Sequence, residues 1–287
     1  MGVASLRDIV TPAFEGRYGV PAINIFNDLT MESVLAAAEE ANSPVILQTS
    51  VKTVRSIGTQ VLFDMWQSMT RGIEVPVTLH LDHCPDRGVI TDCLRAGWNS
   101  VLFDASSMPV EENQRQTIEV VAEARGYGAQ VEGEIEAITG VEDGHGSNDI
   151  APRQSLETVL AFIDATGIDV FAPSIGNAHG HYKASPVLDV GRVTEIVQAR
   201  NIPIALHGGS GMSPEQFSDL IARGCAKVNI STALKETFMQ SGLAFLKGAE
   251  QQNKWDPPSL FRQTRADIMA MVTTLTEQFG SAGKGGR

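Results

Sequence analysis

Eight short apolar runs, each leading into a stretch of helical spacing, recur along the 287-residue chain and constrain its fold more than any other feature. They are Val20–Phe26, Pro44–Ser50, Pro76–Asp82, Asn99–Asp104, Ala129–Ile135, Ile168–Ser174, Pro203–His207 and Ala226–Ile230. Between them, Met31–Ala41, Gly88–Ala96, Val110–Ala124, Leu156–Ala165 and Pro214–Ala222 place apolar residues one helical turn apart. Ser213-Pro214 reads as an N-cap and first helical residue, and Asp28 and Thr30 mark a start before Met31. Gly97 and Gly224 stand where helices stop. Strands separated by helices predict an all-parallel sheet, and eight such units close a barrel. The expected fold is α/β, a (β/α)8 TIM barrel. An open doubly wound sheet is the alternative, but it would usually divide eight units between two lobes. No linker or composition shift marks such a division. A single barrel domain over 1–287 is therefore expected, with extra helices at Leu6–Glu15, Leu234–Gln251 and Pro258–Phe279 and a flexible Gly-rich tail over 280–287.

A hydrophobic content of 43% is enough to fill one such core. No apolar run approaches the roughly 20 residues that cross a bilayer, so no membrane partner is expected. The first residues lack the basic and apolar regions of a signal peptide. Cys84, Cys93 and Cys225 are widely spaced and form no Cys-x-x-Cys pair. That usage suits a reducing compartment, and a cytoplasmic protein is expected. The net charge of −12 leaves no basic stripe to displace counterions, which excludes nucleic acid as a partner class. An anionic small molecule would need local positive potential from a metal, helix N-termini or a few basic residues.

The polar residues fall at strand ends. Asp82 and His83 end the third strand, Asp104 the fourth, and Glu134 lies near the end of the fifth. His179 follows the sixth strand, His207 ends the seventh, and Asn229 lies near the end of the eighth. In a barrel these ends share one face, where active sites of this architecture are built. Histidines from three strand ends can converge on one cation and leave coordination positions open, as a catalytic metal site requires. Imidazole ligands favour zinc, cobalt or similar ions, with zinc the expected ion and cobalt or manganese its substitutes; a monovalent cation is an additional cofactor expectation that the residues themselves do not specify. His80 shares strand parity with Asp82 and is expected to point into the barrel below the site. His145 and His181 read as solvent-exposed. The long connection Gly140–Arg153, with Glu142 and Asp143, is either a functional lid or a disordered bridge. The stretches His207–Ser213 and Asn229–Thr232 follow strands seven and eight, the usual place for a phosphate cradle of backbone N–H groups.

At these residues the chain resembles the class II, metal-dependent fructose-bisphosphate/tagatose-bisphosphate aldolases over nearly its whole length. The matching segments include Leu79–His83, Ser100–Ser106, Val131–Glu134, Gly140–Gly144, Gly176–Gly180 with Tyr182-Lys183, His207–Gly211 and Lys227–Thr232. The resemblance implies a carbon–carbon lyase acting on a phosphorylated sugar, with His83, His179 and His207 as metal ligands. It implies that Asp82 is the acid/base on the hydroxyl that becomes the aldehyde, and that Glu142 moves a proton at the nucleophilic carbon of dihydroxyacetone phosphate. Gly180, Gly208, Gly209, Ser210, Asn229, Ile230, Ser231 and Thr232 match the groups that hold this triose phosphate. Asp104 and Glu134 match a second metal position. A homodimer is the default assembly, with a homotetramer as the alternative.

Residue chemistry points the same way. Retro-aldol cleavage needs a Lewis acid to stabilise an enediolate and a base to accept the hydroxyl proton. The Schiff-base alternative needs a lysine at a strand mouth, whereas Lys227 lies within strand eight. Asn24 and Ser50 are candidate substrate contacts, with Lys52 and Arg55 beside the far end of the substrate or on a solvated basic turn. Arg262 aligns with an arginine that another subunit would supply to a distal phosphate. Cys84 after His83 is a spectator or a reactive thiol, and Asn177 departs from the family's usual Thr or Ser. Tagatose bisphosphate or a deoxy-ketogluconate phosphate are rival substrates. A metal-dependent hydrolase would more often show His-x-His on the first strand, where Asn24 and Phe26 stand. A sugar-phosphate-binding barrel without turnover is the non-enzyme rival; the retained Asp82, histidines and Glu142 argue against it.

Overall fold

The computed structural model describes residues 2–138, 140–142, 145–147, 153–178, 180 and 186–286, with backbone alone at 141, 142 and 145–147. The first half runs α1 (Leu6–Gly16), β1 (Val20–Asn24), α2 (Asp28–Glu40), β2 (Val45–Ser50), α3 (Val51–Ile57), α4 (Thr59–Met69), β3 (Val77–Cys84) and α5 (Arg87–Ala96). Next come β4 (Ser100–Asp104), α6 (Val110–Gly126), β5 (Gln130–Glu134), β6 (Gly140–Glu142), β7 (His145–Ser147) and α7 (Leu156–Thr166). The chain continues with β8 (Val170–Ala172), α8 (Val190–Arg200), β9 (Ile204–Leu206), α9 (Pro214–Arg223), β10 (Cys225–Ile230), α10 (Thr232–Gln252) and α11 (Pro257–Gln278).

Eight strands close a parallel barrel in the order β1-β10-β9-β8-β5-β4-β3-β2. Every residue of β1, β2 and β10 is buried, as expected for parallel strands covered on both faces. Local chemistry sets the helix ends. Ser213 and Gln216 form a capping box with Pro214 in the first turn of α9. Asn27, not Asp28 or Thr30, is the N-cap of α2; Thr30 closes the box from the third helical position. Gly97 ends α5 at φ 103°, a conformation that favours glycine. No described helix is long and apolar enough to cross a membrane.

Two features differ from the sequence reading. The connection after β5 is not wholly irregular, because β6 and β7 pair antiparallel with Glu142 opposite His145. The Gly-rich end is docked over 280–286. Gly283 and Gly285 donate their N–H groups to the carbonyls of Ala41 and Asn42 at 2.9 and 2.7 Å, and Ser281 is fully buried against Ser43. A Cβ at Gly285 would lie 2.5 Å from Asn42 Oδ1, so the absence of a side chain permits this close approach. Glycine there serves contact rather than freedom.

The connection between β5 and α7 is clamped at its root. Buried Glu136 accepts from Arg192 at 2.6 Å, from the Gln154 N–H at 2.6 Å and from the Ser174 N–H at 3.2 Å. Arg192 also donates to the Gln154 carbonyl at 2.9 Å. Removing one partner of a buried pair strands the other charge. Arg192→Met is therefore expected to destabilise the fold by about 3–5 kcal/mol. Thermal or urea unfolding reads this, and an unchanged midpoint would show that the clamp carries no weight.

Candidate active site

Adjacent residues on a strand normally face opposite sides, yet Asp82 and His83 both reach the barrel mouth. The backbone at His83 makes this happen. Its φ is +42°, and the β3–β4 register shifts between Leu81 and Cys84. A bulge combined with a left-handed residue re-aims the side chain; such a conformation costs a non-glycine residue of order 1–3 kcal/mol. Imidazole and carboxylate oxygen are thereby delivered to the same space.

Ligand-type atoms of Asp82, His83 and His207 lie within 4.8 Å of one another, as do those of His83, Asp104 and Glu134. His83 belongs to both groups. Its Nδ1 is 2.9 Å from Asp104 Oδ2, and its ring meets that of His207 edge-on at 4.7 Å between centroids. Asp104 is fixed from its other oxygen by the Ser106 hydroxyl at 2.6 Å. His207 Nε2 is 2.6 Å from Glu132 Oε1, and its Nδ1 is 3.3 Å from Glu134 Oε2. Asp82 accepts from Asn24 Nδ2 at 2.8 Å and from Asn229 Nδ2 at 3.3 Å.

Charge in this volume is strongly coupled. Burial alone would raise the Asp82 carboxyl, but His83, Lys227 and His207 outweigh it and hold the group below its usual range. Glu132 is likewise held low against burial, by Lys227 and His207. Burial opposes the charged form of His83, yet Asp82 and Asp104 raise it well above the ordinary imidazole range. Burial and Lys227 push His80 down to about 3; it is neutral, 2.9 Å from the Ser100 hydroxyl, and points inward as its parity implied. Two groups of imidazole and carboxylate donors that favour positive charge fit a zinc-type ion.

The neighbouring loops are closely packed. Gly208 has φ +65°, and a Cβ there would lie 2.2 Å from the Ala178 carbonyl oxygen. Ser231 precedes α10; its hydroxyl is buried and has no hydrogen-bond partner among the described residues. It stands where Thr232 begins a 21-residue helix, a setting suited to an anion. Ile230 is buried at the end of β10, Ser210 is partly exposed, and Gly180 has φ +82°. A cavity of about 350 Å³ opens beside this region, lined among others by Asn24, Ser50, Lys52, Thr53, Ser56 and Lys235.

The structure thus brings together Asp82, His83, Asp104, Glu134, His207, Asn24 and Asn229, and places Ser50 in the cavity wall. Arg262 lies exposed on α11, donates to Ser259 and does not line the cavity of its own chain. His179 and the Glu142 side chain lie outside the described residues. Arg55 is committed to Asp86 at 2.8 Å. Cys84 is fully buried, and burial pushes its thiol up to about 12, which favours the spectator reading over a reactive thiol. Asn177 bridges the Ile175 N–H and the His207 carbonyl, tying the loop after β8 to β9. Glu132, Lys227 and Gln48 are the polar residues that strand-end reading left without a role. Their signal was parity: each lies two residues before Glu134, Asn229 and Ser50 respectively, on the same inward face.

A parallel barrel with this centre defines a site able to hold a metal ion at the strand ends. The chain belongs to the fructose-bisphosphate aldolase class-II family, which matches residues 4–284. It is 36% identical to a fructose-bisphosphate aldolase of Geobacillus stearothermophilus, over 99% of both chains. It is 34% identical to a sulfofructosephosphate aldolase of Alkalicoccus urumqiensis, again over 99% of both. Among solved structures, it superposes on the YdjI aldolase of Escherichia coli K12 with a TM-score of 0.85 at 29% identity, covering 99% of each chain. The hydrolase and non-catalytic readings fall with that membership.

The backbone at His83 is open to direct test. Glycine adopts positive φ without the Cβ penalty, so His83→Gly is expected to be more stable than His83→Ala by about 1 kcal/mol. Chemical denaturation of the two metal-free variants measures this. An alanine variant as stable as the glycine variant would remove the strained backbone from the account.

Proposed function

We propose that the enzyme cleaves a ketose phosphate reversibly into dihydroxyacetone phosphate and an aldehyde, with fructose 1,6-bisphosphate as the first candidate substrate. The observation that carries this reading is the buried imidazole–carboxylate cluster at the strand ends, with ionised Asp82 held between two amide donors. In this reading His83, His179 and His207 hold a zinc-type ion, for which cobalt or manganese substitute, and Asp104 with Glu134 offer a second metal position. The ion supplies Lewis-acid stabilisation of the negative charge that develops as the carbon–carbon bond breaks.

Asp82 takes the proton of the hydroxyl that becomes the aldehyde oxygen; its lowered pKa keeps it ionised, the form that has a site for the proton. Glu142 moves a proton at the nucleophilic carbon of the triose phosphate. Gly180, Gly208, Gly209, Ser210 and the turn Asn229–Thr232 hold that phosphate with backbone N–H groups, the Ser231 hydroxyl and the α10 N-terminus. A monovalent cation completes the expected cofactors.

Asn24, Ser50 and Lys52 face the aldehyde half of the substrate from the neighbouring cavity. The two named relatives differ by only 2% in identity to this chain, so similarity does not choose the aldehyde. A sulfofructose phosphate, tagatose bisphosphate or a deoxy-ketogluconate phosphate is therefore the second reading. A cytoplasmic homodimer or homotetramer is part of the proposal, with Arg262 reaching a neighbour's distal phosphate. The exposed Met239, Leu243 and Leu246 on α10 and Phe261 on α11 support such contacts, and light scattering of the purified enzyme tests them.

Two tests bear on the chemistry. Verified metal removal by EDTA is expected to abolish cleavage of a panel of ketose mono- and bisphosphates, and zinc or cobalt to restore it; full activity without metal would refute the centre. Asp82→Ala is expected to bind zinc normally while turnover falls about 10²–10⁴-fold. Near-normal turnover would take the acid/base role from Asp82.

A further inference from the structure

Each oxygen of the Asp82 carboxylate receives one asparagine amide: Asn24 Nδ2 at 2.8 Å on Oδ2 and Asn229 Nδ2 at 3.3 Å on Oδ1. An asparagine turned over would present its own oxygen to the carboxylate, replacing attraction with repulsion. The residues behind the two asparagines back that orientation, one of them decisively. Lys227 Nζ lies 2.6 Å from Asn229 Oδ1, and a lysine ammonium has donors and no acceptor. The amide oxygen must therefore face Lys227, and the amino group must face Asp82. On the other side Gln48 Nε2 donates to Asn24 Oδ1 at 2.7 Å; an amide carries both a donor and an acceptor, so this contact backs the orientation that the Asp82 carboxylate sets on Asn24. Gln48 and Lys227 are both fully buried, and neither is a hydrogen-bond partner of Asp82. Lys227 has a further contact: it meets Glu132 Oε2 at 2.9 Å, whose Oε1 is 2.6 Å from His207 Nε2.

We propose that Gln48 and Lys227 are positioning residues for aldol cleavage, acting from one layer beneath the site: Lys227 locks the amide of Asn229, and Gln48 holds the amide oxygen of Asn24, each leaving an amino group toward Asp82. Lys227 also steadies Glu132 behind His207, so one buried cation supports both the acid/base group and a metal ligand. A carboxylate that orients a ligating histidine commonly tunes metal affinity by 10–100-fold. The two residues should thus differ in what they control. Gln48 acts on the proton-transfer half alone, and Lys227 acts on both halves. The inference rests on the acid/base reading of Asp82.

The test uses the zinc-loaded enzyme with the ketose phosphate it cleaves fastest. Gln48→Leu is expected to lower kcat about ten-fold with KM and zinc affinity unchanged, the affinity being read by competition with a chromophoric chelator. In an Asn24→Ala background the same change should lower kcat no further, because the asparagine through which Gln48 acts is gone. Lys227→Met is expected to lower kcat and zinc affinity together, each about ten-fold or more. Because that change strands the Glu132 charge, the zinc competition is repeated on Lys227→Met/Glu132→Gln, which removes both buried charges and is expected to show the same weakened affinity. Wild-type kcat in Gln48→Leu, a further ten-fold loss in the Asn24→Ala background, or wild-type zinc affinity in the double variant would each overturn the inference. An active Asp82→Ala enzyme would instead sink the acid/base reading itself. An inactive Asp82→Ala beside a fully active Gln48→Leu would sink only the positioning roles.

Discussion

Asp82, Glu132 and Glu134 are buried in the mouth of a closed barrel, with Asp104 beside them at 16% side-chain exposure. Carboxylates removed from water must be compensated within the same volume or neutralised. Among the described residues there, Lys227 is the lysine that reaches the carboxylates, and the remaining compensation falls on imidazoles. The rise in the His83 and His207 pKa values expresses that demand, since the surroundings favour positive charge on both rings. A divalent cation among the same groups would meet the demand and would leave the imidazoles neutral as ligands. The electrostatics that make the barrel mouth costly to bury also suit it to a cation.

This constraint orders the rest of the site. The barrel must hold its polar groups in defined geometry, because a half-satisfied network is worse than an apolar core. Strand pairing supplies much of that geometry: Asn24 is in register with Gln48, Gln48 with His80 and Ser50 with Asp82. The bulge at His83 is the exception, placing neighbouring residues on one target at a cost in backbone strain. Stability lower in the barrel, where β1, β2 and β10 are wholly buried, allows that strain to persist.

The barrel was legible because parallel strands buried on both faces leave apolar runs that need no partner to be recognised. The strand-end residues were legible because topology alone brings those ends together. Other features depend on geometry that sequence spacing does not carry. Parity would set Asp82 and His83 on opposite faces, and only the left-handed φ at His83 reconciles them. Glu132 and Lys227 read as ordinary charges in a strand until the closed barrel shows them paired in its interior. Glycines over 280–286 suggested freedom, whereas they permit close backbone contact with Ala41 and Asn42. The hairpin of β6 and β7 was hidden by its glycines and short strands. The aldehyde half of the site stays open for the same reason. A cavity lined by Ser50, Lys52 and Thr53 admits several polar groups, and residue types alone do not rank them.

The central claim is a divalent ion held by imidazole groups at the strand ends, among the buried carboxylates. X-ray absorption at the zinc edge of the purified enzyme tests it most directly. The expected spectrum shows about one ion per chain with nitrogen and oxygen neighbours at about 2.0–2.2 Å and imidazole outer-shell scattering. Sulfur neighbours at about 2.3 Å, or a first shell without imidazole, would contradict the account.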